Sequence, residues 1–174
     1  KSIARLKELD RQFGGKLNTI FSTQDALEKY IPLADILVGA VLVPGAEAPK
    51  ILTRDLLRKM RSGSVVVDVA IDQGGCFATS RPTTHTHPTY LVDDIVHYCV
   101  SNMPGAVPRT STFALTQATL PYILALANKG IDRALAEDVH LRNGLNISRG
   151  HITHQAVASV FDKPYVSARE VLSA

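Results

Sequence analysis

An α/β fold carrying a doubly wound, mainly parallel sheet is what this 174-residue sequence predicts, on three observations. Short apolar runs of strand length begin near residues 17, 35, 64 and 95. Helical patterns fill at least the first two gaps between them, the alternation that builds parallel sheets. The run SVVVDVA at 64–70 is rich in β-branched residues and apolar on both faces apart from Asp68, as in strands covered by helices on both sides.

In chain order, Ile3, Leu6, Leu9 and Phe13 recur at spacings of three and four, an amphipathic helix over residues 2–13 that Gly14 and Gly15 end. Residues 17–21 read as a short strand of the sheet. Ser22 or Thr23 caps a helix that runs to about Pro32. DILVGA at 35–40 is the next strand, and Thr53 opens a short helix with Leu56, Leu57 and Met60 on one side. After the strand at 64–70 and a polar, His-rich loop, residues 95–100 form one more strand. From about residue 111 the pattern is mainly helical, with Pro121 expected to kink or split the first long stretch. A second helix is expected over 132–141, a small hairpin around Gly150, and short helices over 154–161 and 167–172. The change of pattern near residue 104 divides the chain into 1–103 and 104–174.

Composition excludes several classes of function. The net charge of +3 is spread along the chain, and Arg54, Arg58, Lys59 and Arg61 read as the solvated face of one helix. With 5 Tyr, 5 Phe and no Trp, there is neither a basic stripe nor a stacking platform for nucleic acid. No apolar run reaches the roughly 18 residues that a bilayer span needs. Cys76 and Cys99 form no CxxC pair, so reduced thiols in a cytoplasmic protein are expected, with a single disulfide as the alternative.

Parallel strands with right-handed crossovers bring their C-terminal ends to one edge, where such sheets bind ligands. Three loops reach that edge: residues 39–45, 68–75 and 100–105, each with small residues that let a planar ligand approach backbone. Asp72 is the first candidate for chemistry. It follows an apolar strand and precedes Gln73-Gly74-Gly75, a sharp turn that leaves its carboxylate facing the ligand edge to orient water or exchange protons. The other role open to it is capping the next turn. Asp68, inside the strand, reads as structural. His85 and His87 form an H-x-H pair without a third ligand at a persuasive spacing, so an exposed loop rather than a metal site is expected. His97 reads as a core or interface histidine, and Cys76 as a packing residue. A glycine-rich GxGxxG helix start, and the acidic residue that normally follows it, are not found, so the pattern is that of a nucleotide-binding fold without its first βαβ unit.

Four segments, AVLVPGAEAPKILT, SVVVDVAIDQGGCF, RPTTHTHPTY and NMPGAVPRTSTFALTQATLPY, together resemble alanine dehydrogenases, and the resemblance runs from about Arg5 to the C-terminus. It implies a Rossmann-type NAD-binding domain, whose later part is residues 1–103, and a segment, 104–174, that returns to a substrate domain. The family's reaction is the reversible oxidative deamination of L-alanine to pyruvate and ammonia, with hydride passing to NAD. By position, the resemblance makes Asp72 the catalytic aspartate acting on the water or ammonia that meets the imine. Arg5 and Ser22 would contact the adenosine half of NAD, Val41 and Leu42 would line the cofactor cleft, and Val69, Asn102 and Met103 would lie near the nicotinamide and its ribose. It also implies a homo-oligomer, commonly a hexamer, and no metal. The pyruvate-holding arginine, lysine and histidine of the family have no counterpart here, so these residues alone are expected to be inactive. The NAD-binding subunit of proton-translocating transhydrogenase is similar too. There the counterpart of Ala70–Gly75 typically reads like AAQNGG, without the aspartate. A non-catalytic fragment that needs a partner chain is the remaining alternative.

Overall fold

The computed structural model describes residues 2–41, 43 and 47–173. They fall into two compact units, the first from residues 1–42 and 48–101, the second from 43–47 and 102–174.

The first unit opens with α1 (Ile3–Phe13), capped where Ser2 Oγ accepts the Arg5 N–H at 3.3 Å. Thr23 Oγ1 accepts the Ala26 N–H at 3.2 Å and so starts α2 (Gln24–Tyr30). Strand β1 (Ile36–Gly39) leads to α3 (Arg54–Leu57), capped by Thr53, and then to β2 (Val65–Asp68). Strands β3 (Thr89–Val92) and β4 (Ile95–Tyr98) complete a sheet of order β1-β2-β4-β3. The pairs β1/β2 and β2/β4 are parallel, from Ile36 opposite Val65 to Gly39 opposite Asp68 and from Val65 opposite Val96 to Val67 opposite Tyr98. The parallel-dominated sheet flanked by helices is the α/β architecture expected, and the C-terminal ends of β1, β2 and β4 share one edge.

The core sits on one face of this sheet. Val66, Ile95 and Phe77 are buried with Leu52, Leu56, Leu57 and Met60. Along β2 burial alternates: Val66 and Asp68 are enclosed, while Val65 and Val67 are half-covered. Amphipathic α3 thus meets a single face of the sheet. Across the strand ends, Arg54 Nε and Arg58 Nε reach Asp93 Oδ2 at 2.7 and 3.1 Å and tie this helix to the turn between β3 and β4.

Two features of this unit depart from the sequence reading. Residues 17–21 form no strand: they are extended coil, and Leu17, Ile20 and Phe21 are exposed. A strand exists only with a neighbour to complete its ladder, and among the described residues none lies beside this run. Conversely, residues 89–92 form the antiparallel strand β3 within what reads as loop. Asp93 and Asp94 take φ of 51° and 60°, the pair of left-handed residues that a two-residue hairpin requires.

His97 of β4 is buried, stacked on Tyr90 at 4.9 Å, with Nδ1 at 3.0 Å from the Ile95 carbonyl. A carbonyl only accepts, so Nδ1 carries the proton, and Nε2 accepts from Thr79 Oγ1 at 2.7 Å. Burial lowers the pKa of this ring and keeps it neutral. His85 and His87 are exposed. Both cysteines are buried free thiols.

The second unit is mainly helical. Its long helix α4 (Pro108–Lys129) runs through Pro121 as one helix rather than two. The helix expected over 132–141 is divided into α5 (Ile131–Glu137) and α6 (Val139–Asn143). Asp138 between them is extended, and its carboxylate accepts the N–H groups of His140 and Leu141 at 2.8 and 3.0 Å, a new helix start. The hairpin β5 (Ile147–Ser148) and β6 (His151–Ile152), with α7 (Gln155–Val160) and α8 (Ala168–Ser173), completes the unit. Among the described residues, no helix is long and apolar enough to cross a membrane, and no cluster of three or more His, Cys, Asp or Glu side chains could hold a metal.

Candidate functional site

The shared edge of the parallel strands holds a cleft of about 310 Å3 lined by Ala40, Val41, Val69, Ala70, Asp72 and Gln73. One wall continues from β1, the other from β2, and the Val69 N–H donating to the Gly39 carbonyl at 2.8 Å holds the two together. The residues that begin each loop are small or branched and apolar. Asp72 is the charged residue among them, exposed at the middle of a 3-10 turn over Ile71–Gln73.

Glycines shape that turn. Gly74 and Gly75 take φ of 88° and 75°, a region L side chains avoid. The carbonyls they present are taken up by Lys50 Nζ, which donates to both Gly74 O and Gly75 O. The neighbouring chain docks alongside: the Ala48 N–H donates to Gln73 O at 2.8 Å, Ile51 N–H to Cys76 O at 3.0 Å, and Ala78 N–H to Leu52 O at 2.9 Å. At the base of the turn the buried Asp68 carboxylate accepts from the Cys76 N–H at 2.8 Å. Burial first, then the charge of Asp68, pushes the Cys76 thiol up to about 11. It stays protonated at neutral pH, so Cys76 is no nucleophile.

The structure thus gathers Val41, Val69 and Asp72 in one cleft. Ser22 lines a separate apolar groove of about 260 Å3 with Ile20, Leu27, Ile31 and Leu37. Arg5 lies on exposed α1, paired with Glu8 at 2.6 Å. Leu42 is outside the described residues. Asn102 and Met103 begin the second unit, at the 3-10 turn Met103–Ala106 that Ser111 Oγ ties to α4 through the Pro104 carbonyl at 2.9 Å.

Lys50 and Gln73 went unnoticed in the sequence. Nothing in the spacing of Lys50, some twenty-odd residues before the glycines, announces its contact. Gln73 stands next to Asp72, and its Oε1 is buried without a hydrogen-bond partner. Apolar walls and small residues suit a flat heterocycle, such as the nicotinamide end of NAD. The described residues offer no glycine-rich helix start for its pyrophosphate.

Residues 1–155 match the family model described as "Alanine dehydrogenase/PNT, C-terminal domain". An alanine dehydrogenase of Halomonas elongata is 59% identical over 172 residues, 99% of this chain and 46% of that protein. One from Mycolicibacterium smegmatis is 51% identical over the same share of each chain. The chain therefore spans about half the length of the curated relatives it matches. Among solved structures, an L-alanine dehydrogenase superposes with a TM-score of 0.82 at 48% identity, over 92% of this chain and 44% of that one. A transhydrogenase of Sinorhizobium meliloti superposes at 0.66 and 22% identity, over 90% and 41%, a likeness of fold alone. The fold and the match over residues 1–155 agree: the chain belongs to the alanine dehydrogenase/PNT C-terminal domain family.

Proposed function

We propose that this chain supplies the later part of the NAD-binding domain, residues 1–103, and the returning segment, 104–174, of an NAD-dependent alanine dehydrogenase. The full polypeptide would interconvert L-alanine with pyruvate and ammonia, as a cytoplasmic homo-oligomer, commonly a hexamer in the family. The observation that carries this reading is Asp72 on its glycine-shaped turn, beside Val41 and Val69 at the C-terminal edge of the sheet.

Each residue has a part in it. By resemblance, Val41 and Leu42 would line the cofactor cleft, and Val69, Asn102 and Met103 would lie near the nicotinamide and its ribose. Arg5 and Ser22 contact the adenosine half. When bound, NAD supplies the hydride acceptor at substrate carbon. Asp72 exchanges a proton with the water that adds to the imine in deamination, or with ammonia in the reverse direction. Asp72 also favours this reading over the transhydrogenase one, whose corresponding motif lacks the carboxylate.

The test is Asp72→Asn in the full polypeptide. The amide keeps the shape but can neither take a proton nor carry the charge. Turnover should fall at least about tenfold, equivalent to ~1.4 kcal/mol of barrier, with the NADH dissociation constant changed by less than about threefold. A smaller loss of turnover removes Asp72 from the chemistry.

A further inference from the structure

The buried carboxylate of Asp68 has no part in the reaction outlined above, yet it lies beneath the turn that carries Asp72. It is fully enclosed. Its Oδ1 accepts from the Ala70 N–H at 3.1 Å and from Cys76 Sγ at 3.4 Å. Its Oδ2 accepts from the N–H groups of Cys76 at 2.8 Å and Phe77 at 3.4 Å and from Ser80 Oγ at 2.5 Å. The donors stand on both sides of Asp72, before it at residue 70 and after it at 76, 77 and 80. Gly75 passes so near that a Cβ there would lie 2.8 Å from Asp68 Oδ2. A side chain at the end of β2 therefore closes the whole turn onto itself. Ionised acceptors make shorter and stronger bonds to N–H groups than neutral ones do, which suits a buried carboxylate to this task better than an amide or hydroxyl.

We propose that Asp68 is a positioning residue for the dehydrogenase reaction: by gathering the Ala70, Cys76 and Phe77 N–H groups and the Ser80 hydroxyl, it fixes where Asp72 meets substrate. The inference rests on the catalytic reading of Asp72 above. In Asp68→Asn one oxygen becomes an NH2 group, so either the Ala70 N–H or those of Cys76 and Phe77 face another donor. The turn then settles elsewhere and takes Asp72 with it, without loss of any group that touches substrate.

A double-mutant cycle in the full polypeptide separates positioning from general stabilisation. Alanine-dependent turnover is measured for the parent, Asp68→Asn, Asp72→Asn and the double variant, each at a temperature well below its melting midpoint. Asp68→Asn should lower kcat by about tenfold or more in the parent, with the alanine KM changed far less, and by under about threefold when Asp72 is already Asn. Equal losses in both backgrounds overturn the Asp68 inference alone. Parental turnover in Asp72→Asn overturns the assignment of Asp72, and the positioning role falls with it. Should Asp68→Asn not fold, Ser80→Ala replaces it in the cycle, since it removes a single donor and leaves the carboxylate its N–H partners. It should lower kcat by about threefold or more with the same dependence on Asp72. Parental turnover in Ser80→Ala overturns the inference.

Discussion

Gly39 ends β1 at a place where the sheet leaves no room for a side chain. A Cβ added there would lie 2.3 Å from Cys76 Sγ, 2.6 Å from Phe77 Cζ and 2.8 Å from Phe77 Cε1. Neither neighbour has space to withdraw: Cys76 and Phe77 are 0% and 1% exposed, and the sulfur is also hydrogen-bonded to Asp68. Overpacking a core by one methyl group costs ~1–3 kcal/mol, and three contacts on immobile atoms put Gly39→Ala at the upper end, about 3 kcal/mol. For a chain of this size that corresponds to a melting midpoint lower by roughly 6–12 °C. Urea unfolding of Gly39→Ala and the parent measures the loss directly. Gly15→Ala is the control, because a Cβ there meets nothing within 4 Å, and it should stay within about 0.5 kcal/mol of the parent. Removing the sulfur provides a second check: Gly39→Ala with Cys76→Ala should lose less than the sum of the two single changes. A loss below about 1 kcal/mol in Gly39→Ala would refute the reasoning, because the buried wall would then be soft enough to absorb a methyl group.

Two further outcomes follow from the structure. Arg54 and Arg58 hold the Asp93 carboxyl well below its ordinary value of 3.8. A depressed folded-state pKa gives stability that is present above the ordinary value and lost as pH falls through the folded one. Asp93→Asn keeps a residue tolerant of the left-handed turn, so its deficit in urea midpoint should be present at neutral pH, shrink in acid and shrink in high salt. A deficit independent of pH would mean that turn geometry, not the ion pairs, is at stake. The 174 residues by themselves should bind NADH weakly and not oxidise L-alanine, because pyrophosphate is normally anchored by N–H groups at a glycine-rich helix start that they do not contain. Micromolar binding in a calorimetric titration, together with alanine-dependent NADH formation, would contradict this.

What the sequence disclosed depended on whether a feature is local. The β-branched run at 64–70 and the apolar run at 35–40 announced their strands, and Gly74-Gly75 announced the turn bearing Asp72. Thr23 and Thr53 were legible as helix starts for the same reason. The run 17–21 has strand composition but no partner, and partnership is not written in the run itself. The hairpin Thr89–Val92 with Ile95–Tyr98 was within reach: its strands alternate, but Asp93-Asp94 is a less familiar left-handed pair than Asn-Gly. Asp138 breaking one expected helix into two was likewise a local capping signal overlooked between apolar residues. The site divides in the same way. Asp72 stood out by its own neighbours, whereas Val41 and Val69 were indicated only by resemblance. The five donors converging on Asp68, and Lys50 reaching the glycine carbonyls, are products of tertiary folding.

Turns at the mouth of a cleft are commonly the first parts of a protein to exchange their amide hydrogens, since they open without disturbing the core. The turn over Ile71–Gln73 is built otherwise. It is laced to residues 48–52 on one side, gripped by Lys50 at its glycines, and closed from below by a carboxylate that no water reaches. The backbone on either side of the turn is held by the buried carboxylate, so the tip is exposed while the flanking backbone is built as core. For an acid–base group that rigidity has a kinetic meaning. Dipoles that are already aligned need not reorganise as charge moves, so, on the proposed reading of Asp72, the turn that carries it is placed once, when the chain folds.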